Sequence, residues 1–500
     1  LQSSYTRGYI DFLAHHTVKG QVYDVNQVTE HTGRSLAHTL RAGGTYKFDA
    51  DNSLELSYTT QFSPNSQHHS HSSGSISESF NDSRTHHQMH NAALNYTSGF
   101  GFRAGADYTN FTSTDTQNFF DRSPEEVETR FVSHSDQHID RWKIYADQSH
   151  SLPHDWTLNY GTSFSYVYNR NIQDYDLPEM QGQNLYNRIR EYTYNVYAGF
   201  DKPFNSQWTL SASATLEYYQ MQDYRKWAVY PTLQLNYMPS ASHILQLSFS
   251  SDKTYPDYWT LSGATSYLNG YNESVGNPFL RPYTEYDVDL TYILKSKYIF
   301  QASYSYIPDY FMQTVYLNSD RLKAIYNWQN WDYSQELAFT AILPFKVGHW
   351  WDSRLTLQAS LKHDKASAYY DAPFNQQQWV GVGQWINTFQ LCRRPNLKME
   401  VTAFGQTQSI QGSYDIQPVG FVDAALRYTF AKDRAMLQLK GSDIFNTMNL
   451  KTRVRNGAQY LDMNTKSYLQ SVTLSFSYRF GGYKKKEVKD VDTSRFGNHS

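Results

Sequence analysis

The chain has 500 residues, and its 44 Lys and Arg against 47 Asp and Glu leave a formal net charge of −3, which argues against a nucleic-acid partner. Only 39% of residues are hydrophobic, while 43 Tyr, 28 Phe and 11 Trp bring aromatics to 16%, so Leu, Ile and Val are too sparse for a large helical core. No apolar run approaches the roughly 18 residues of a membrane-crossing helix, but strands that cross a membrane need only about ten residues with every second one apolar.

Taken in chain order, the dominant signal is a period of two. Leu54, Leu56, Tyr58 and Phe62 share one face of a predicted strand, as do Trp156, Leu158, Tyr160, Phe164, Tyr166 and Tyr168. The pattern returns in Trp208, Leu210, Ala212, Ala214, Leu216 and Tyr218, and in Tyr286, Val288, Leu290, Tyr292 and Leu294. Leu355, Leu357, Ala359 and Leu361 repeat it, with Arg354, Gln358 and Lys362 opposite. In the last predicted strand Val472, Leu474, Phe476, Tyr478 and Phe480 oppose Ser471, Thr473, Ser475, Ser477 and Arg479. Aromatics cap the apolar faces, as where a lipid-facing stripe meets headgroups. A soluble sandwich or propeller also alternates, but its inner faces are rich in Val, Ile and Leu, and no fixed-period repeat marks blades.

Connections alternate in length. Short links fall at 49–52, 98–101, 295–297, 392–396 and 431–434, and long polar stretches near 63–85, 112–136, 169–188, 251–283, 364–377 and 441–466. The pattern predicts an all-β, antiparallel transmembrane barrel of about twenty strands over residues 1–480, with short periplasmic turns and long extracellular loops. Residues 481–500 read as a charged periplasmic tail, in which a solvated extension competes with a periplasmic contact. The lone Cys392 cannot form an intrachain disulfide. Leu1 begins among polar residues with no secretory leader, so a mature or truncated chain is expected.

Two sets of residues invite a functional reading. His68, His69 and His71 fall in one predicted extracellular stretch, with His86, His87 and His90 on its descending side. Imidazoles at this density could hold a transition metal or a metal chelate, or simply belong to a polar loop rich in Ser and His. The loop aromatics Tyr255, Tyr258, Trp259, Tyr267 and Tyr271, then Trp328, Trp331 and Tyr333, could stack on a sugar, peptide or planar ligand. Of these Tyr255, Tyr258, Trp259, Tyr271, Trp328 and Trp331 are the ligand-binding candidates, against a role in the outer girdle or in packing loops together. No phosphate loop, metalloprotease His pair or nucleophile elbow is present, so no catalytic residue and no cofactor is expected. Inward-facing Asp287 and Asp289 read as groups of a wet lumen.

Three segments carry a resemblance: Gly276-Asn-Pro-Phe-Leu-Arg-Pro282 followed by Glu285, then Asp443-Ile-Phe-Asn446, then Tyr478-Arg-Phe-Gly-Gly482. They resemble the barrel of the TonB-dependent receptor superfamily, in particular its outer membrane β-barrel family common in Bacteroidetes. Tyr283 and Thr284 depart from the family pattern, where an acidic residue follows the proline directly. Pro278 and Pro282 suit a strand start or loop. Phe445 and Asn446 would tuck an apolar group and a turn residue where the penultimate strand hands over to its loop. The resemblance implies a barrel of about twenty-two strands around an N-terminal plug, with the plug and first strands outside this sequence. It also implies uptake of an extracellular nutrient (a metal chelate, glycan or peptide) powered by a TonB-type partner, in outer-membrane lipid and with a surface lipoprotein as a further partner. The competing readings are a passive pore or structural barrel anchoring a larger assembly, and, more remotely, a barrel lipase or protease.

Overall fold

A computed structural model describes residues 2–466, 469–480, 492, 495 and 496. Among these residues, twenty strands form a barrel wall, each antiparallel to its neighbour along the chain. The first ten are Gln2–Val18, Gln21–Lys47, Ser53–Gly74, Glu78–Thr97, Phe102–Arg122, Glu128–Leu152, Trp156–Tyr175, Leu185–Pro203, Trp208–Met221 and Tyr224–Ser240. The second ten are His243–Thr254, Tyr283–Leu294, Tyr298–Pro308, Tyr333–Val347, Trp351–Ala366, Phe374–Cys392, Asn396–Gln406, Val419–Phe430, Ala435–Ser442 and Ser471–Tyr478. Eight shorter strands belong to extracellular arms. The short links expected from the sequence are the turns at one end of this wall. Because a barrel strand must satisfy its backbone groups from its neighbours, this is one of the two architectures that can cross a bilayer.

Outward and inward faces follow the alternation. Leu56, Leu94, Ile144, Val196, Leu247, Leu290 and Phe339 are exposed on the outside, whereas Thr59, Asn91, Thr109, Glu191 and Glu217 are buried toward the lumen. The apolar stripe occupies only the part of each strand near the short turns. Above it, the strands of the N-terminal half continue: Gln21–Lys47 runs for 27 residues and Glu128–Leu152 for 25, against about ten needed to cross. This corrects the loop reading of three stretches. Residues 63–85, 112–136 and 169–188 are largely strand, turning only at 75–77, 123–127 and 176–184. Polar residues there mark strand that has left the lipid, where both faces tolerate polarity, and not the end of the ladder.

Closure is local. The first strand pairs with the arm strand Gln459–Lys466 from Tyr9↔Lys466 to His15↔Tyr460. At membrane level, strand Ser471–Tyr478 pairs with Ala435–Ser442 alone among the described residues, leaving Val472 78% exposed. On the other side, pairing of Gln21–Lys47 with the first strand ends at Ala37.

One sequence expectation shifts here. Phe445 is not tucked in but 66% exposed. The turn is held instead by Asp443, whose carboxylate accepts the Thr447 and Met448 amides at 2.9 and 3.0 Å. Of the tail, Asp492, Arg495 and Phe496 are described, and they lie against Arg141, Glu191 and Tyr258. Gly481, Gly482 and the lysines of the tail lie outside the described residues.

Candidate functional site at the extracellular mouth

Two long extracellular connections, 255–282 and 309–332, fold together. Strands Thr265–Tyr267, Asn272–Val275, Ala324–Asn330 and Phe311–Leu317 form a four-stranded sheet in that spatial order. Its central pairing, Asn272–Val275 with Ala324–Asn330, is parallel, an arrangement open to strands from different arms but not to a tight hairpin. β-branched and aromatic residues suit such strands, and Val315, Leu317, Ala324 and Tyr271 are fully buried against Phe12, Ala14 and Val25 of the wall.

The sheet is seated in the mouth by polar contacts to lumen-facing side chains. Its edge strand Thr265–Tyr267 is completed by two glutamines that imitate a neighbouring strand. The Gln173 amide donates to the Thr265 carbonyl at 2.7 Å and accepts the Thr265 N–H at 2.9 Å. Gln117 does the same for Tyr267, at 2.8 and 3.2 Å. These four bonds satisfy backbone groups that an edge strand otherwise leaves open. At the tip between the first two strands, Asn269 donates to Thr29 at 3.1 Å, and the Gly270 N–H donates to Ser79 Oγ at 2.9 Å. A Cβ at Gly270 would press on the Asp121 carboxylate and the Ser77 hydroxyl, which would have to give way, so glycine allows the closest approach here. Lys323 donates to the Gly270 carbonyl, and burial lowers its ammonium pKa against the pull of Glu273 and Asp121.

The six aromatic candidates do not form one surface. Trp259 and Trp328 meet edge to face, with centroids 5.7 Å apart, next to Tyr255 and the apolar group around Ile189 and Leu280. Tyr258 is buried in a different group, with Met89, Phe111, Ile139 and Val167. Tyr271 is buried where the sheet meets the first two strands. Trp331 is buried against Tyr310 and Phe374. Much of this set therefore holds the loops together.

The histidines are also separated. His86, His87 and His90 lie on strand Glu78–Thr97, and His68, His69 and His71 on strand Ser53–Gly74, whose alternation turns His68 inward beside Gly33 and His69 and His71 to the other face. His69 pairs with Asp82, and His71 with Glu78 at 3.2 Å. Among the described residues no group of three or more His, Cys, Asp or Glu is placed to hold a metal ion.

Sequence reasoning missed a buried polar network that lines the lumen. Glu217 and Lys253 form an ion pair, each side chain 5% exposed. The Tyr255 hydroxyl donates to Glu217 Oε2 at 2.6 Å, and the Tyr219 hydroxyl donates to Glu191 Oε2 at 2.8 Å. The Lys253 ammonium lies 4.0 Å from the Tyr219 ring centroid. Arg495 reaches Glu191 from the tail with two bonds of 2.6 and 2.9 Å. Burial disfavours the Arg495 guanidinium charge, but the Glu191 carboxylate holds its pKa well above the ordinary value. Burial raises the nearby Asp257 carboxyl, against the hydrogen bond from Trp259 and the charge of Arg495. These residues are scattered over 300 positions, and only alternation hinted that Glu191, Glu217 and Lys253 face inward.

The family match agrees with the architecture. The outer membrane protein beta-barrel family matches residues 96–478. No curated protein matches the chain. Among solved structures, the siderophore receptor PirA from Pseudomonas aeruginosa is 10% identical with a TM-score of 0.44, over 94% of this chain and 81% of that one. The alcaligin outer membrane receptor FauA from Bordetella pertussis is 10% identical with a TM-score of 0.48, over 93% and 76%.

Proposed function

Because the chain belongs to the outer membrane protein β-barrel family and resides in the outer membrane of a Gram-negative cell, we propose that it is the barrel of a receptor for energised nutrient uptake. The observation that carries this reading is the four-stranded sheet seated in the mouth. A passive pore keeps a standing aqueous path, whereas here two long extracellular arms join in one sheet at the mouth, and the first of them is bonded to the wall through Gln117 and Gln173. A ligand held by such arms would need them to rearrange before it could pass, which calls for work from outside the barrel. A TonB-type partner is the source that the segments at 276–282, 443–446 and 478–482 favour, as they do a Bacteroidetes origin and an accompanying surface lipoprotein. The ligand classes are a metal chelate, a glycan or a peptide, with Trp259 and Trp328 as the partly exposed aromatic pair on which a planar or sugar surface could rest.

Planar-bilayer recording tests the reading. The protein should give little steady current, with conductance rising when the sheet is released by changing Gln117 and Gln173 together. A large, steady, ohmic current from the unaltered protein would sink it and favour a passive pore.

A further inference from the structure

We infer that the lumen carries a binding site for an arginine–aromatic peptide unit, and that the chain's own C-terminal segment occupies it. This stands independently of the uptake reading, because it rests on the lumen wall and the tail alone.

The wall presents an unbalanced charge in a buried place. Glu191 and Glu217 supply two carboxylates, and Lys253 neutralises one of them. The remaining negative charge, on a Glu191 that is 3% exposed, requires a cation. The geometry selects a guanidinium over an ammonium. Both Glu191 oxygens accept from separate nitrogens of Arg495, at 2.6 and 2.9 Å, and Arg495 Nε donates to the Pro256 carbonyl at 3.0 Å. A planar fork satisfies these three acceptors at once, which a single ammonium on a flexible stem does not. The same guanidinium lies 4.2 Å from the Tyr258 ring centroid and 5.0 Å from that of Tyr255, the arrangement of a cation held by aromatic faces.

The next position is equally defined. The Tyr258 N–H donates to the Arg495 carbonyl at 3.0 Å, fixing the ligand backbone. Phe496, 2% exposed, enters an apolar slot of Met89, Phe111, Ile139, Val167 and Tyr258. Its ring lies 5.6 Å from Phe111 and 5.2 Å from the Arg141 guanidinium. Arg141 then holds Asp492, donating to its carboxylate at 3.2 Å and its carbonyl at 3.0 Å. An acceptor pair, a backbone donor and an aromatic slot in this order read out a sequence, Arg then an aromatic, with an acidic group a few residues before. Twelve residue steps separate Phe480 from Asp492, a reach of about 40 Å when extended, so the tail can act as a tethered ligand from the end of the wall.

Two measurements on the full chain, refolded in detergent, test this. In the first, trypsin cleavage of the Arg495–Phe496 bond is followed by mass spectrometry. The wild type should resist, and Glu191→Gln should be cut at least about tenfold faster. Equal rates would overturn the docking. In the second, a fluorescent peptide, Asp-Thr-Ser-Arg-Phe-Gly-Asn-His-Ser, is titrated against wild type and against Arg495→Ala/Phe496→Ala. The double variant, with its own ligand disabled, should bind at least about tenfold more tightly than wild type, and a citrulline-for-arginine peptide should not bind it. Equal binding to both proteins, no binding to the double variant, or unchanged affinity for the citrulline peptide would each overturn the proposal. The tail substitutions leave the wall intact, so the second measurement decides the matter even where Glu191→Gln does not fold, a point checked by heat-dependent mobility on a gel.

Discussion

The Tyr271 hydroxyl meets Nδ1 of His16 at 2.9 Å, with both residues fully buried where the mouth sheet touches the first strand of the wall. The direction of this bond follows from its other end. His16 Nε2 lies 2.7 Å from the Asn318 carbonyl, which can only accept. The ring proton is therefore on Nε2, Nδ1 is the acceptor, and Tyr271 donates. One imidazole thus bridges the two arms of the sheet to the wall.

Tyr271→Phe keeps the ring but leaves Nδ1 buried without a donor. The expected loss is about 1–3 kcal/mol of local stability, confined to the sheet. Hydrogen exchange should quicken in Thr265–Tyr267 and Asn272–Val275 while the wall strands keep their protection. Unchanged exchange in those two strands would show that the bond does not hold the sheet.

The glutamine pair gives a sharper test, since one atom can be changed in each. Gln173→Glu or Gln117→Glu preserves length and the acceptor for the Thr265 or Tyr267 N–H. It removes the donor to the carbonyl and sets an anion against it. Each should loosen the edge strand by about 1–3 kcal/mol, whereas Gln→Glu at exposed Gln377 should do almost nothing. Limited proteolysis within 255–282 is the readout; equal cleavage of all three variants would mean the sheet is held by its apolar contacts alone.

How much of this was legible in the sequence depends on which force placed each residue. The wall was legible because lipid on one side and water on the other impose a strict period of two, as in Tyr286 to Leu294. The turns at 49–52 and 295–297 were legible from turn chemistry. Strand above the bilayer was not, since at 63–85 neither face meets lipid and the period loses its apolar member. Nor was the mouth sheet: Thr265–Tyr267 is three residues long and depends on Gln117 and Gln173, about 150 and 90 positions away in the chain. Long-range partnership of that kind leaves no local pattern. The same holds for Arg495, whose meaning comes from Glu191, 304 residues earlier.

Acid should release a second contact at the mouth. Asp332 ties the turn after Ala324–Asn330 to the neighbouring turn, accepting from the Ser367 hydroxyl and from its N–H at 3.3 Å. The Ser367 hydroxyl bond, outweighing partial burial and aided by Lys365, holds the Asp332 carboxyl below its ordinary 3.8. A depressed acid contributes stability that is complete above the unfolded value and is lost as pH falls through the lower, folded one. Protection of the 367–373 turn, corrected for intrinsic exchange, should therefore hold from neutrality down to about pH 4 and drop below it. Asp332→Asn should remove that drop. A turn whose protection falls equally in both proteins would assign the effect to some other group.

The lipid boundary can be tested with two adjacent residues whose side chains point opposite ways. Leu290 and Asp289 sit in the middle of Tyr283–Leu294. Leu290 faces out between Leu247 and Ala302, in a shallow apolar groove shared with Phe300, Phe339 and Leu357. Asp289 faces the lumen and accepts from Gln301 at 2.8 Å. Leu290→Arg puts a cation against hydrocarbon near the bilayer middle and should destabilise the barrel by about 2–4 kcal/mol in phosphatidylcholine vesicles. Asp289→Asn retains an acceptor for Gln301 in a wet interior and should change stability by under about 1 kcal/mol. Urea unfolding from vesicles measures both. In detergent micelles, where the long Arg side chain reaches water easily, the gap between them should shrink. Equal, small effects in vesicles would place this face of the strand away from lipid and overturn the orientation assigned to the wall.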